Sequence, residues 1–192
     1  YVGYSDLTPF LCQVVDRLDL VAFHGPMVAT DLARGLTEEE ERSFLEILSD
    51  HGRPSFEIPH SLRPGRARGR LIGGCASLLS ALQGTAFAPN TEDAILLLED
   101  VEEPPYRVDR MLTHLRLSGS LAAIRGVVIG QLGPEWDQGR PSPWQLEPLE
   151  GEFPIASGLS VGHEAPNLTL PLGLEATLDS EGGAIRFEET TP

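Results

Sequence analysis

The sequence is poor in cysteine and has no long apolar run, and each shortage excludes a class of protein. Two cysteines, Cys12 and Cys75, occur in 192 residues, and neither belongs to a CxxC pair. They are too few for a disulfide framework, so a reducing compartment is favoured. No uninterrupted apolar segment approaches the roughly 20 residues that span a bilayer, so we expect no membrane partner.

Positive charge is also scarce. The chain has 14 basic residues against 29 acidic ones, which gives a formal net charge of −15. Such a field repels phosphate backbones and anionic lipid surfaces, so we expect no nucleic-acid partner. The one basic cluster lies in a segment rich in proline and glycine, and we interpret it as a solvated loop; its members are Arg63, Arg66, Arg68 and Arg70.

The remaining composition is that of a globular protein, and the pattern of apolar residues predicts an α/β fold. Hydrophobic residues make up 41% of the chain and charged residues 22%. Short apolar segments typical of strands alternate with segments of helical period, and residues 178–187 predict a hairpin that turns at 181–183. We therefore predict a partial N-terminal α/β lobe and a C-terminal α/β domain with a mixed sheet and a closing hairpin.

Local signals place several of these elements. Thr37 with Glu40 three residues later forms a capping box, which predicts a helix start, and the acidic run 38–41 is favoured there by the helix dipole. Residues 94–98 form an apolar strand that ends in Glu99 and Asp100. The proline pair 104–105 predicts the start of a helix that reaches about residue 118.

The first six residues, YVGYSD, carry the pattern with the clearest chemical meaning. They are typical of a strand end, a glycine-assisted turn with Ser5 at its tip, and the start of a helix. Hydrolases expose a nucleophilic serine in this way, beside the backbone N–H groups of the helix. The match to G-x-S-x-G is partial because Leu7 replaces the last glycine. The alternative is a serine that only caps the helix.

The composition changes at residues 53–70, which are rich in proline, glycine and arginine. We predict that 1–52 is the remnant of an N-terminal domain carrying the nucleophile, that 53–70 is a linker, and that 71–192 is a C-terminal domain. The chain begins with Tyr1 rather than methionine, at what is typically the last part of a strand. We therefore expect it to be the C-terminal portion of a longer protein.

A nucleophilic serine needs a general base, and His163 is the favoured histidine of five. It lies in the glycine-flanked loop GLSVGH directly after a short strand, where an imidazole stays accessible. His24 precedes Gly25-Pro26, so we interpret it as a turn residue. His51 and His60 are placed in loops and His114 on a helix. A loop histidine without a role is the alternative for His163.

The base in turn needs a carboxylate, and Glu99 is the best placed. A buried strand delivers it to the carboxyl edge of the sheet, where sites of open α/β sheets lie. A carboxylate there is desolvated unless it is paired, and a histidine N–H is a natural partner. The alternative is a cap for the following helix, which Asp100 is equally placed to provide. The order Ser, Glu, His is that of α/β-hydrolase triads.

Several short strings, in order over nearly the whole chain, resemble the serine peptidase family of LD-carboxypeptidases and microcin-immunity peptidases. The strings are GYSD (3–6), FHGP (23–26), LIGG (71–74) with SLL (77–79), LLED (97–100) leading into EPPYRVDR (103–110), GH (162–163) and PNLTLPLG (166–173). The resemblance implies an N-terminal α/β domain with the serine elbow and a C-terminal α/β domain with the glutamate and histidine.

Carried over by position, the resemblance assigns the catalytic residues. Ser5 is the nucleophile, His163 the base and Glu99 the carboxylate that orients it. The backbone N–H of Asp6 is one donor of the oxyanion hole, and the second donor is a glycine upstream of this chain. Neither a metal nor an organic cofactor is implied.

The substrate-binding assignments are Cys75 and Arg107. The family usually has asparagine after the Gly-Gly, where this sequence has Cys75, and this change affects the expected substrate preference but not the triad. Cys75 as an alternative nucleophile has no base near it in the sequence. Arg107 and Arg110 are candidates to hold a substrate carboxylate, with surface ion pairing to the preceding glutamates as the alternative.

The resemblance implies a cytoplasmic serine carboxypeptidase of cell-wall recycling. It is expected to hydrolyse the L,D-peptide bond to the terminal D-alanine of murein tetrapeptides and to form a homodimer. One alternative is an immunity-type amidohydrolase that cleaves a peptidyl or acyl-adenylate antibiotic. The other is a non-catalytic binding module that keeps the fold.

Overall fold

A computed structural model describes residues 1–49, 53–133 and 147–188. Four α-helices occur in this part of the chain: α1 (Thr8–Leu18), α2 (Glu38–Leu48), α3 (Ala76–Ala81) and α4 (Pro105–Leu117). The strands are β1 (Val2–Gly3), β2 (Ala22–His24), β3 (Ser55–Glu57), β4 (His60–Arg63), β5 (Arg66–Cys75), β6 (Ala94–Glu99), β7 (Gly126–Ile129), β8 (Ile155–Ser157), β9 (Leu170–Leu172), β10 (Glu175–Asp179) and β11 (Ala184–Phe187).

These strands form two sheets, and both are mixed. The small sheet has the order β1-β2-β9, in which β1 and β2 are parallel and β9 is antiparallel to β2. The large sheet has the order β3-β11-β10-β5-β6-β7-β8-β4, with β5 to β8 parallel to one another. The α/β class is confirmed, and so is the closing hairpin, because β10 and β11 pair antiparallel.

The centre of the large sheet carries the core. Every residue of β6 is buried, as expected for a parallel strand that is covered on both faces. Gly73 of β5 has a φ of 134°, and a Cβ there would lie 2.1 Å from the carbonyl oxygen of Leu97. Only glycine therefore allows β5 to approach β6 this closely. Cys75 and Glu99 are register partners at the carboxyl ends of these two strands.

Residues 53–70 are not the loop that their composition predicted. They form β3 and β4 and the first half of β5, all within the large sheet. Arg66 and Arg68 are solvent-exposed, as expected, but they lie on β5 and pair with Asp179 and Glu175 of β10. These cross-strand ion pairs offset the low strand propensity of the segment. The division of the chain into domains stays a prediction.

Among the described residues, no helix combines the length and the apolarity that a bilayer crossing requires.

Candidate active site

Ser5 lies in a sharp turn between β1 and α1. It starts a one-turn 3₁₀ helix (Ser5–Leu7) and has a φ of 55°, a conformation that costs a non-glycine residue about 1–2 kcal/mol. Such backbone strain is typical of a nucleophile elbow, which turns the serine outward from the strand. A Cβ on Gly3 would lie 2.3 Å from Leu7 Cδ1, so Gly3 gives Leu7 room to close the turn.

The elbow is attached to the carboxyl edge of the large sheet. Thr8, three residues after Ser5, accepts a hydrogen bond through Oγ1 from the N–H of Cys75 at 3.2 Å. A Cβ on Gly74 would lie 2.7 Å from the same oxygen, so the glycine permits this contact. Because Cys75 is paired in register with Glu99, the serine turn lies beside the end of β6.

Glu99 and His163 are in direct contact. Nδ1 of His163 lies 2.9 Å from Oε2 of Glu99, and the carboxylate is fully buried. A neutral His163 therefore carries its proton on Nδ1, which leaves the lone pair of Nε2 free to accept one. Nε2 is buried and has no hydrogen-bond partner within the described residues. This is the arrangement that a general base needs.

Tyr4 links this pair to the elbow. Its ring packs edge-on against the imidazole of His163, with the centroids 4.9 Å apart. Ser5 is the next residue in the chain, so the contact places the strained turn beside the histidine. The structure therefore brings Glu99 and His163 into contact, and the residue that precedes Ser5 packs against the histidine.

The electrostatics of the site favour an ionised carboxylate beside a basic imidazole. Burial raises the pKa of Glu99, but hydrogen bonds from the imidazoles of His163 and His24 outweigh it and hold the pKa at about 2. Burial lowers the pKa of His163, but the Glu99 carboxylate outweighs it and holds the pKa above its ordinary value of 6.5. At neutral pH Glu99 is therefore ionised and orients the imidazole.

The backbone at Asp6 is suited to its predicted role as an oxyanion donor. The hydrogen bonds of the 3₁₀ turn begin with the N–H of Leu7, which donates to the carbonyl oxygen of Tyr4 at 3.1 Å. The N–H of Asp6 precedes these bonds, at the open end of the turn, where anions bind. The role of Asp6 stays a prediction.

Cys75 lies at the end of β5, close to the site, but its thiol is poorly suited to nucleophilic attack. Its Sγ is 3.1 Å from Ser77 Oγ and 3.6 Å from Asp100 Oδ1. Burial raises the pKa of the thiol to about 11, so the reactive thiolate is scarce at neutral pH. Its assignment to substrate binding stays a prediction.

We expect Cys75 and Cys12 to resist alkylation in the folded protein. Burial raises the pKa of Cys12 to about 12, and both residues are buried, Cys75 with 4% of its surface exposed and Cys12 with 0%. Iodoacetamide at pH 8 should leave both peptides unmodified in mass spectra, whereas the denatured protein reacts fully. Rapid native modification of Cys75 would contradict the burial described here.

Arg107 lies on α4 with its guanidinium beside an acidic neighbour. Its Nε is 3.0 Å from Glu103 Oε2, one helical turn away, and half of the arginine side chain is exposed. Arg110 stacks over the ring of Tyr106 at 5.6 Å. These contacts fit the surface ion pairing that was the alternative for this helix, and the substrate-binding role of Arg107 stays a prediction.

The loop that carries His163 is held from two sides. Asn167 accepts a hydrogen bond from the N–H of Gly162 at 3.2 Å, and its own N–H donates to Glu40 of α2 at 2.9 Å. On the other side, the side chain of Gln131 accepts from the N–H of Glu164 at 2.7 Å and donates to the carbonyl oxygen of Pro166 at 3.2 Å. The position of the imidazole therefore depends on both contacts.

Glu40 combines this role with the predicted capping box of α2, which is confirmed. Its carboxylate accepts from the N–H of Thr37 at 2.7 Å and pairs with Arg34 at 2.9 Å, although the side chain is fully buried. The acidic run 38–41 is thus partly structural, as expected. Its third residue also supports the loop that carries His163, which no pattern within the run predicts.

We expect Glu40→Ala to lower the free energy of unfolding by about 3 kcal/mol. The change removes the capping box and leaves the N–H of Asn167 buried without its acceptor. Denaturant unfolding of the intact protein checks this value. The matched control is Glu39→Ala in the same helical turn, which is exposed and should cost about 0.5 kcal/mol.

The stabilisation that the Glu40 carboxylate provides depends on pH. Burial raises the pKa of Glu40, but hydrogen bonds from Thr37, Asn167 and Arg34 outweigh it and hold the pKa below 4.5. Because the folded-state pKa is depressed, the stabilisation is fully present above pH 4.5 and is lost as the pH falls through the folded value. The difference between wild type and Glu40→Ala should therefore shrink in acid, and a constant difference would contradict this account.

The four remaining histidines differ in their surroundings. His60 is half-buried on β4, and His114 contacts Ser80 Oγ through Nδ1 at 2.9 Å. His51 lies outside the described residues. His24, interpreted as a turn residue from the sequence, is fully buried, and its Nε2 lies 3.5 Å from Glu99 Oε1.

The pairing of β1 with β2 is the feature that places His24 in the site. β1 and β2 are parallel, with Gly3 opposite His24, so the elbow and this histidine leave the sheet at the same edge. Two short strands that end in chemistry-bearing residues therefore predict a shared site when they pair in parallel. Their pairing could not be derived from either segment alone.

The fold and the site together define an α/β protein with a strained serine elbow beside a buried histidine–carboxylate pair. The chain belongs to the LD-carboxypeptidase family, because its residues 68–178 match the LD-carboxypeptidase C-terminal domain. The resemblance inferred from the short sequence strings is thereby confirmed.

Individual relatives agree with this family. A murein tetrapeptide carboxypeptidase of Pseudomonas aeruginosa is 32% identical over 97% of this chain and 64% of its own length. The crystal structure of a muramoyltetrapeptide carboxypeptidase from Oxalobacter formigenes superposes with a TM-score of 0.83 at 33% identity, covering 97% of this chain and 67% of that one.

A second branch of similar structures has a different named function. The microcin C7 self-immunity protein MccF in complex with aspartyl sulfamoyl adenosine superposes with a TM-score of 0.82 at 25% identity, covering 98% of this chain and 67% of that one. The chain spans about three fifths of the length of the first curated relatives it matches, between 59% and 62%.

Proposed function

We propose that the protein containing this chain is a serine carboxypeptidase that hydrolyses the L,D-peptide bond to the terminal D-alanine of murein tetrapeptides. One observation carries the proposal: the Glu99–His163 pair, with Nε2 of His163 unpartnered within the described residues, beside the strained turn at Ser5. The named activity of the relatives from Pseudomonas aeruginosa and Oxalobacter formigenes supports the substrate class.

The first half of the reaction forms an acyl-enzyme. Ser5 Oγ attacks the carbonyl carbon of the scissile bond while His163 Nε2 takes the serine proton. The negative charge on the carbonyl oxygen is stabilised by the N–H of Asp6. The tetrahedral intermediate then collapses, the C–N bond breaks, and His163 gives its proton to the leaving amine of D-alanine.

The second half of the reaction restores the enzyme. Water attacks the ester carbonyl, His163 takes a proton from it, and the same proton returns to Ser5 Oγ as the C–O bond to the serine breaks. Glu99 stays ionised throughout, holds the Nδ1–H tautomer and stabilises the imidazolium that forms twice in each cycle. A pKa near 2 suits this role because the carboxylate does not take up the proton.

Cytoplasmic cell-wall recycling and a homodimer belong to the same proposal. The first follows from the family resemblance. Exposed apolar side chains on α1 support the second, since Phe10 and Leu18 are 44% and 60% exposed.

A second candidate function is supported by the similarity to the microcin C7 self-immunity protein. That protein is solved with aspartyl sulfamoyl adenosine, so an amide or acyl bond to a nucleotide-like group is the alternative substrate. The same serine, histidine and glutamate would perform the cleavage, and only the groove that selects the leaving group would differ.

A substrate comparison on the intact protein distinguishes the two. Murein tetrapeptide, its analogue ending in L-alanine and aspartyl sulfamoyl adenosine are incubated separately, and products are quantified by mass spectrometry. The proposal predicts release of D-alanine from the first substrate alone. Turnover of the adenosine compound alone supports the immunity-type function, and turnover of none supports a binding module.

A further inference from the structure

His24 belongs to the site although the reaction described above does not use it. It ends β2, is 0% exposed, and faces the Glu99 oxygen that His163 does not contact. Nε2 of His24 lies 3.5 Å from Oε1, while Nδ1 of His163 lies 2.9 Å from Oε2. The carboxylate therefore lies between two imidazoles.

Two glycines border the Glu99 side chain. A Cβ on Gly162 would lie 3.4 Å from Oε2, and one on Gly130 would lie 3.3 Å from the Glu99 Cβ. Two imidazoles lie within ion-pairing distance of this carboxylate, His24 at 3.5 Å and His163 at 2.9 Å. A fully buried carboxylate requires such partners, because an unpaired one is strongly penalised.

The proton on His24 follows from its burial. Both ring nitrogens of His24 are buried without a close hydrogen bond in the described part of the chain, and Nε2 is the one that faces Glu99 Oε1, at 3.5 Å. A protonated ring would bury an unpaired N–H at Nδ1, whereas a neutral ring with its proton on Nε2 leaves only an unpaired acceptor there. The second arrangement is less costly and directs an N–H at Oε1.

We infer that His24 is a positioning residue for the proposed reaction: its neutral Nε2–H engages Oε1 of Glu99, fixing the carboxylate so that Oε2 points at His163. The inference rests on the proposed function for its kinetic consequences and on the geometry alone for the rest. The ring of Tyr4 packs near both imidazoles, with its centroid 5.8 Å from that of His24 and 4.9 Å from that of His163.

The charged and titratable groups around the Glu99–His163 pair determine the direction of the electrostatic effect. In the described part of the chain, the other titratable groups that act on the Glu99–His163 pair are Tyr4, Asp31, Cys75 and Asp100, and both aspartates favour a proton on His163. An N–H directed at Glu99 stabilises the carboxylate and so weakens its hold on the His163 proton. Removing that N–H should therefore make His163 titrate at a higher pH.

The test uses a matched pair of variants in the intact protein. His24→Gln keeps an N–H near the position of Nε2, and His24→Met has nearly the same length and shape without a donor. We expect His24→Met to lower kcat for murein tetrapeptide by about 10- to 100-fold with KM little changed. We expect the acidic side of the pH profile of kcat for His24→Met to shift to higher pH by about one unit. His24→Gln should restore most of the loss.

Nuclear magnetic resonance provides readouts that need no turnover. The His163 titration should move up in His24→Met and return toward wild type in His24→Gln. In the wild type, His24 nitrogen shifts should show the neutral Nε2–H tautomer at pH 7, which can be measured even if a variant fails to fold. A His24 tautomer with its proton on Nδ1, or a His163 titration identical in both variants and the wild type, would overturn the inference.

The two proposals fail in different ways. If wild type does not release D-alanine but the His163 titration responds to His24→Met, the murein function is wrong and the positioning role stands. If wild type releases D-alanine and His24→Met matches it in kcat, pH profile and titration, the function stands and His24 has no positioning role.

Discussion

Replacing Ser5 with alanine is expected to lower kcat for murein tetrapeptide by about 10⁶-fold, the loss that follows removal of a nucleophilic serine. Alanine keeps the Cβ that already tolerates a φ of 55°, so the elbow should fold unchanged. KM should change little, since the hydroxyl acts in the acyl-transfer step. Product release in the intact protein, measured over long incubations, checks the loss.

The control for this change is Ser61→Ala, an exposed serine on β4, which should leave kcat unaltered. If Ser5→Ala kept a tenth or more of the activity while remaining folded, another group would have to be the nucleophile. Cys75 would then be the nearest candidate, despite the high pKa of its thiol.

Glu99→Gln should lower kcat by about 10⁴-fold, because the amide cannot serve both histidines. Nδ1 of His163 and Nε2 of His24 each face one carboxylate oxygen, and an amide offers one oxygen and one NH₂ group. When the NH₂ group faces His163, Nδ1 must accept and the proton moves to Nε2. The nitrogen that should act as the base is then occupied.

The pH–rate profile separates this effect from simple misfolding. Loss of the carboxylate charge should move the acid limb to lower pH, because that charge raises the pKa of His163 in the wild type. Glu92→Gln, an exposed change on the loop before β6, is the matched control and should behave as wild type. An unshifted acid limb in a folded Glu99→Gln protein would separate Glu99 from the base.

Local sequence signals were sufficient for most elements of the fold. Apolar period, the capping box at Thr37 and the glycine turn at 181–183 each describe a few neighbouring residues, and each element appears where it was predicted. Residues 66–70 were missed although arginine alternates with small residues there. That alternation has the period of a half-exposed strand, but the pairing of this segment with β10, including its two ion pairs, joins residues far apart in the sequence.

The residues of the site also fall into those that local patterns predict and those that depend on contacts between distant segments. Glu99 was found because a buried strand ends at it, and His163 because glycines flank it, and the contact between them is observed at 2.9 Å. His24 and Glu40 were missed as parts of the site because their contacts are between distant segments. The bond from Asn167 to Glu40, for example, joins residues 127 positions apart. No periodicity within one segment encodes such a contact.

The most direct test of the Ser5–His163–Glu99 site is to locate a fluorophosphonate adduct on the intact protein by mass spectrometry. The probe should modify Ser5 and no other residue, and its rate should fall as the pH drops below the raised pKa of His163. His163→Ala should abolish the labelling without unfolding the protein. Labelling at a different residue, or none in a folded wild-type protein, would contradict the account.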